Sequence, residues 1–132
     1  MTTERETVDR ARQYDSAAWT EHALTRMAAA DLAGAISGFR TALQTDPDNL
    51  EAHHGLVRAL CDAGQPDAAV AVALVLTVLT PGDPLAHTAL SIALQQAGQI
   101  PQAEAAAGRA RILEWKQQLS ANADQEAHAG IP

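Results

Sequence analysis

The chain has 132 residues, 47% of them hydrophobic, and its 9 basic and 16 acidic side chains give a formal net charge of −7. This length suits one globular domain and leaves little room for separate catalytic and regulatory domains. The acidic balance argues against nucleic acid and anionic membranes as partners, because phosphate groups are bound by clustered basic residues and none occurs between Arg58 and Arg109.

The N-terminal segment, residues 1–15, lacks the apolar stretch of a secretion signal, and no apolar run elsewhere reaches the roughly 20 residues of a membrane-spanning helix. We therefore expect a cytoplasmic protein. Cys61 is the single cysteine, so it cannot form an internal disulfide and is expected to be structural. A capping box at residues 3–6 predicts a short helix from Glu4 to about Gln13 that covers the domain behind it.

A period of 34 residues organises the rest of the chain. Pro47 recurs as Pro81, and Gly64 recurs as Gly98, each 34 residues later. Proline and glycine are rarer residues that end helices and form turns, so these matches carry more weight than the alanines that also recur at this period, because alanine is abundant in the chain. Each copy contains two apolar segments with helical spacing and a turn between them. The sequence therefore predicts an all-α fold with two helices in each copy.

The proline and glycine turns set the bounds of the predicted helices along the chain. In the first copy, the second helix spans about residues 32–44 and stops before Pro47, because a residue that precedes proline avoids the helical region. In the second copy, the turn at residues 64–66 separates a first helix from a second that spans 68–79. The last helix starts near residue 102 and continues to about Leu119, as the solvating cap that repeat arrays require.

These features together resemble the tetratricopeptide repeat, which has an aromatic residue and a leucine in a first helix, a turn glycine, Ala-x3-Phe in a second helix and a closing proline. The matching residues are Trp19, Ala35, Phe39, Ala42 and Pro47 in the first copy, Leu56, Gly64, Ala69 and Pro81 in the second, and Leu90, Gly98, Ala103 and Ala110 in the third. The resemblance covers about 100 residues.

The resemblance implies three helix-turn-helix units, at 16–49, 50–83 and 84–115, stacked as a short right-handed solenoid with a terminal capping helix. The repeats and the cap then occupy 16–120, between an N-terminal extension (1–15) and a disordered tail (121–132). The first copy has His22, Arg26 and Ala30 where the family has leucine, tyrosine and the turn glycine, which predicts a first helix that is shifted or covered differently. In the second copy, Ala73 and Leu76 stand where the family has phenylalanine and alanine. This exchange of a large and a small residue on one helix face predicts a changed packing angle of that helix.

The resemblance also implies a concave groove, lined by the first helices, that binds a peptide or a partner helix. Helical spacing assigns these residues to the groove: Thr20, Leu24, Met27, Glu51, His54, Arg58, Cys61, Leu85, Thr88, Ile92 and Gln95. This surface is apolar at both ends and polar in the centre, with Arg58 as its fixed cation, which suits an amphipathic or extended segment. The alternative is that its polar members form an ordinary solvated helix face.

One branch of the family binds the C-terminal carboxylates of heat-shock chaperones through lysine, arginine and asparagine side chains in the groove. The comparable positions of this chain hold Thr20, Leu24, Gly55, Leu85 and Ala89. None of these side chains carries a positive charge or an amide group. We therefore do not expect co-chaperone activity of that kind.

The segment 68–80 contains no charged residue and is apolar around its whole circumference, as in a helix buried on all sides. The repeat register nevertheless directs four of its side chains outward: Ala71, Leu74, Val75 and Val78. An exposed apolar patch of this kind usually marks an interface, so we expect a homo-oligomer contact there. The alternative is that the chain's own terminal helices, or a change of helix register, bury this patch internally. A second apolar row, Ile112, Trp115 and Leu119, either closes the array or continues an interface.

The sequence lacks the signatures of enzymes and metal sites. None of its five histidines, His22, His53, His54, His87 and His128, lies three or four residues from another, the spacing by which one helix offers two metal ligands. No nucleophile elbow, phosphate-binding glycine loop or metalloprotease motif is present. We predict a protein without catalysis, metal or cofactor. Three functions remain open: an adaptor that binds a protein partner, a small chaperone for a secretion-system or assembly client, and, with little support in the sequence, an enzyme subunit or metal protein.

Overall fold

The computed structural model describes the backbone of residues 4–129 and the side chains of residues 16–128. Over this range the chain forms six helices and no strand. They are α1 (Glu4–Ala28), α2 (Leu32–Thr45), α3 (Leu50–Asp62), α4 (Pro66–Leu79), α5 (Pro84–Gln96) and α6 (Ile100–Ala129). The predicted all-α fold is confirmed. None of the described helices combines the length and the apolar character needed to cross a bilayer.

The helices form three hairpins, α1–α2, α3–α4 and α5–α6, and each helix packs against the next one in the chain. The first helices of the hairpins also touch one another, since α3 contacts both α1 and α5. No single hairpin can bury its apolar flank alone, so the neighbouring hairpins supply the missing partner surface. The chain is therefore an all-α helical repeat, as its period predicts.

All three hairpins turn through the same hydrogen-bonded motif. Its central residue is Ala30, Gly64 or Gly98, with φ of 62°, 72° and 78°. In each turn this residue donates its amide to the carbonyl three residues earlier, and the next residue donates to the carbonyl five residues before it, at 2.9–3.1 Å. This is the Schellman ending of a helix. The predicted shift of the first helix is wrong, because these bonds hold Ala30 in the conformation that glycine adopts in the other two turns.

The core runs along the array between the two layers of helices. Its largest fully buried apolar side chains are Phe39, Leu60 and Leu76. Leu76 occupies the position that Ala42 holds one repeat earlier, and Ala73 occupies the position of Phe39. All four are fully buried. The exchange of large and small residues therefore takes place inside the core and leaves both helices packed.

Asn49 joins the first hairpin to the second. Its side-chain oxygen accepts a hydrogen bond from the amide of Ala52 at 3.1 Å and so caps the N-terminus of α3. Its amide nitrogen donates to the hydroxyl oxygens of Ser16 at 2.9 Å and Thr20 at 3.0 Å, both on α1. One side chain thus ends a loop and fixes α1 against α3.

The terminal helices are longer than predicted. Helix α1 is continuous from Glu4, so the predicted short helix is its first part; the capping residue Thr3 lies outside the described residues. Helix α6 continues to Ala129, so the prediction of a disordered tail is wrong for 121–129, and the description stops there. Residues 114–129 contain neither glycine nor proline and are rich in good helix formers, which lets the helix continue beyond its packed part.

Candidate functional site

A cleft of about 550 Å³ lies between α3 and α5. We call it the α3–α5 cleft. Its α3 wall consists of His54, Val57, Arg58, Cys61 and Asp62, and its α5 wall of Leu85, Thr88, Ala89, Ile92 and Gln96. Steps of three, four and seven residues relate these positions, so each wall is one face of a helix. The first helices of adjacent repeats thus present two parallel faces to one cavity.

The structure brings six of the predicted groove residues together in this cleft: His54, Arg58, Cys61, Leu85, Thr88 and Ile92. Val57, Asp62, Ala89 and Gln96 also line it and were missed, although the same helical spacing could have identified them. The two helix faces form one cavity only because α3 and α5 face each other across the gap. Helical spacing does not predict this arrangement of the two helices, which was implied by the family resemblance alone.

The other predicted groove residues lie elsewhere. Thr20 is wrong as a groove residue: it is only 2% exposed, and its hydroxyl donates to the carbonyl of Ser16 at 2.8 Å. Leu24 and Met27 are half-buried against the core. Glu51 is exposed but does not line the cleft, and Gln95 lines a smaller depression between α5 and α6.

The two walls of the cleft differ in charge. Helix α5 contains no Asp, Glu, Lys or Arg along its whole length, and Leu85 and Ile92 are 62% and 48% exposed. The α3 wall carries Arg58 and Asp62, both exposed and one turn apart. Among the side chains described, the one ion pair joins Arg26 to Asp31 at 3.5 Å, so the Arg58 guanidinium has no described carboxylate within ion-pair distance.

Burial sets the protonation of two other titratable groups on the α3 wall, His54 and Cys61. It lowers the pKa of His54, an effect that His53 reinforces and the charge of Asp83 opposes. It also raises the pKa of the Cys61 thiol, with a smaller contribution from Asp62. At neutral pH the cleft therefore contains a neutral imidazole and a protonated thiol. In the part of the chain that the structure describes, no three His, Cys, Asp or Glu side chains are grouped as metal ligands.

His53 and His87 occupy equivalent repeat positions and make equivalent bonds. Nε2 of His53 donates to the carbonyl of Pro47 at 2.8 Å, and Nε2 of His87 donates to that of Pro81 at 2.9 Å. Each bond connects a first helix to the loop that precedes it. Trp19, at the same position of the first repeat, makes an edge contact with the ring of His22, with 5.5 Å between the ring centroids. These positions have a packing role.

A second surface is the outward side of α4, formed by Ala71, Leu74, Val75 and Val78, which we call the α4 outer face. Leu74, Val75 and Val78 are 50%, 48% and 79% exposed, and Ala71 is exposed as well. The buried side of α4 consists of small or apolar residues, Ala69, Ala73 and Leu76. Although residues 68–79 of α4 carry no charge on any side of the helix, only one side is buried within the described chain.

The apolar row on α6 is exposed too. Ile112, Trp115 and Leu119 are 47%, 63% and 49% exposed, so the row does not close the array within the described residues. Helix α6 packs chiefly against α5, whereas α4 packs chiefly against α3 and α5. The row on α6 and the α4 outer face are therefore two separate apolar surfaces.

Three solved structures share this arrangement of helices. MamA (MSR-1, C2) is 21% identical with a TM-score of 0.72, and the aligned part covers 86% of this chain and 64% of that one. A crystal structure of MamA is 17% identical with a TM-score of 0.75, covering 86% and 66%. A Thermobaculum terrenum O-GlcNAc transferase mutant is 26% identical with a TM-score of 0.67, covering 86% of this chain and 20% of the transferase.

These matches show a common fold, and this chain spans just under two thirds of the MamA chains. A comparison with curated protein sequences finds no match. The sequence pattern described as tetratricopeptide repeat matches residues 26–91, which is half of the chain. The matched segment runs from the end of α1 through most of α5 and contains the turns at Ala30 and Gly64. The chain belongs to the tetratricopeptide repeat family.

Proposed function

We propose that this chain is a protein-interaction module that holds a peptide or a helix of a partner protein in the α3–α5 cleft. Tetratricopeptide repeats are typically protein-interaction scaffolds. The observation that carries the proposal is the cleft itself, which has about 550 Å³ of space between two helix faces and exposes Leu85 and Ile92 to it. Burial of such apolar side chains is the main favourable term in protein association.

Binding in the cleft requires no catalytic chemistry. Burial raises the pKa of Cys61, which keeps this thiol protonated and a weak nucleophile at neutral pH. The walls instead combine apolar side chains with two charges at the α3 side, a composition that suits recognition of an amphipathic segment. In this proposal the chain acts by binding alone.

A random peptide display library selected on the immobilised chain tests this function. The affinities of selected peptides are then measured by fluorescence anisotropy for the parent chain and for two variants. Ile92→Asp places a charge on the α5 wall, and we expect it to weaken binding by about tenfold or more. Val78→Asp places the same charge on the α4 outer face and should leave binding unchanged. Failure to select any peptide, or equal binding to the parent and Ile92→Asp, would contradict the proposal.

We also propose that the α4 outer face self-associates by contact with a second copy of the chain. Two copies that each carry a net charge of −7 repel each other, and contact through an uncharged surface adds no local repulsion to this. Ala71, Leu74, Val75 and Val78 form such a surface, and Val78 is 79% exposed. A contiguous exposed apolar patch is typical of an interface.

Sedimentation equilibrium over a range of concentrations tests self-association. The parent chain is expected to shift towards a dimer as its concentration rises. Val78→Glu should remain a monomer, because it would bury a carboxylate in the contact. Gln44→Glu introduces the same charge at the equivalent, exposed position of the first repeat and should behave like the parent. A parent chain that stays monomeric at every concentration would contradict this contact.

A further inference from the structure

We infer that the partner segment of the α3–α5 cleft is an amphipathic helix that carries a row of apolar residues and one acidic residue beside the row, with Arg58 as the group that binds its carboxylate. This inference rests on the proposed function and adds the chemistry of the partner. It follows from the unequal charge of the two walls.

The α5 wall determines the apolar row. Leu85 and Ile92 are seven residues apart on one face of α5, which corresponds to about 10 Å along the helix. A helix that lies along α5 meets both side chains if its own apolar residues recur at positions i, i+3 or i+4, and i+7. Because α5 itself contains no Asp, Glu, Lys or Arg, a charge facing this wall away from the N-cap carboxylate of Asp83 would lose its hydration without gaining an ion pair.

The α3 wall determines the acidic residue. Arg58 lies in the cleft and is exposed, and no described carboxylate is within ion-pair distance of its guanidinium. A wholly apolar partner would cover this cation and leave its hydrogen-bond donors unpaired, which costs free energy. A carboxylate at the same place can accept two parallel N–H bonds from the guanidinium. The cleft therefore favours a partner with an acid opposite Arg58.

The negative charge of Asp62 and the net negative charge of the chain limit the partner to a single acidic residue. Asp62 lies one turn beyond Arg58 on the same wall and repels a second carboxylate at that level. The net charge of −7 repels a strongly acidic segment as a whole. The partner helix is thus neutral or basic apart from the carboxylate that reaches Arg58.

The peptides selected from the display library provide the test. On the parent chain we expect selected sequences to contain Asp or Glu beside the apolar row, and on Arg58→Glu to contain Lys or Arg at that position. Arg40→Glu alters an exposed arginine outside the cleft and should select the same peptides as the parent. Changing the acid of a selected peptide to glutamine should weaken its binding to the unmodified chain about tenfold, the effect of one hydrogen bond to a charged group.

The same glutamine peptide should lose no further affinity on Arg58→Ala, since the two changes remove one interaction. Peptides that require Ile92 but show no acidic preference, or that are selected equally by Arg58→Glu, would overturn this inference and leave the proposed function intact. Peptides that do not depend on Ile92 would overturn both. The comparison of the acidic peptide with its glutamine version uses the unmodified chain, so it tests the preference for an acid even if an Arg58 variant folds poorly.

Discussion

The ring of Phe39 on α2 lies against the backbone of Gly55 on α3, in the space that a side chain at residue 55 would occupy. A Cβ atom built on Gly55 would overlap three carbon atoms of the ring. Phe39 is fully buried, so the ring has no free space into which it could move without disturbing its neighbours. The absence of a side chain at Gly55 therefore allows the second helix of one repeat to approach the first helix of the next.

Replacement of Gly55 by alanine should destabilise the chain by about 1–3 kcal/mol, the usual cost of overpacking a core. This direction is opposite to that expected from helix propensity, which favours alanine over glycine by about 1 kcal/mol. Urea denaturation measures the difference. Gly108→Ala is the matched control, because Gly108 also lies inside a helix but a Cβ there would meet only the end of the Arg111 side chain, at 3.7 Å. Equal effects of the two substitutions would contradict the close packing.

Replacement of Ala30 by glycine should stabilise the chain by about 1 kcal/mol. Ala30 adopts a φ of 62°, a left-handed conformation that costs an L-residue about 1–2 kcal/mol and costs glycine much less. The opposite change in the equivalent turn, Gly64→Ala, should destabilise the chain by a similar amount, since Gly64 has a φ of 72°. Thermal and urea denaturation of both variants check the prediction; two shifts in the same direction would refute it.

Replacement of Asn49 by aspartate should destabilise the chain by about 1 kcal/mol or more, although aspartate is an equally good N-cap residue. The carboxylate keeps the cap on Ala52 but cannot donate to Ser16 and Thr20. The control is Asp83→Asn, at the equivalent position one repeat later, whose side chain caps the backbone amide of Leu85 at 3.0 Å. This control should change stability by less than about 0.5 kcal/mol. If urea denaturation shows the same change for Asn49→Asp and Asp83→Asn, the hydrogen bonds from Asn49 to α1 contribute nothing to stability.

The free energy of unfolding of the chain should fall as the pH is lowered through 6.5, the ordinary pKa of a histidine such as His54. Burial lowers the pKa of His54 in the folded chain, so the unfolded chain takes up this proton at a higher pH than the folded chain does. The contribution of His54 to stability is complete above pH 6.5 and is lost as the pH falls towards its lower pKa in the folded chain. Urea denaturation from about pH 7 to about pH 5 should show a shallower decline for His54→Gln than for the parent. A variant that declines as steeply would show that His54 does not carry this effect.

The order and spacing of the helices could be predicted from the sequence. Helix α2 was expected at 32–44 and spans Leu32–Thr45; α4 was expected at 68–79 and spans Pro66–Leu79. These features follow from local interactions, since backbone bonds within a helix connect residues four apart, and glycine and proline act on their immediate neighbours. The 34-residue period could be read for the same reason, because it repeats these local signals.

The candidate site was predictable only as a set of helix faces. Six cleft residues were identified because helical spacing places them on one side of α3 and α5. Thr20 has the same spacing, but its hydroxyl is paired with the Asn49 side chain, 29 residues away in the chain. Whether a helix face becomes a cleft wall or an internal contact depends on the helix that packs against it.

The sequence by itself determined the helices, their turns and the outward register of Val78, because all three depend on interactions within one repeat. Tertiary structure decided which of these faces are open, because exposure is set by the contacts that each helix makes with the other helices. It buried Thr20 and left Arg58 exposed beside the uncharged wall of α5. It also gave α6 a packed part and an exposed extension, since α5 lies against only the first portion of that helix.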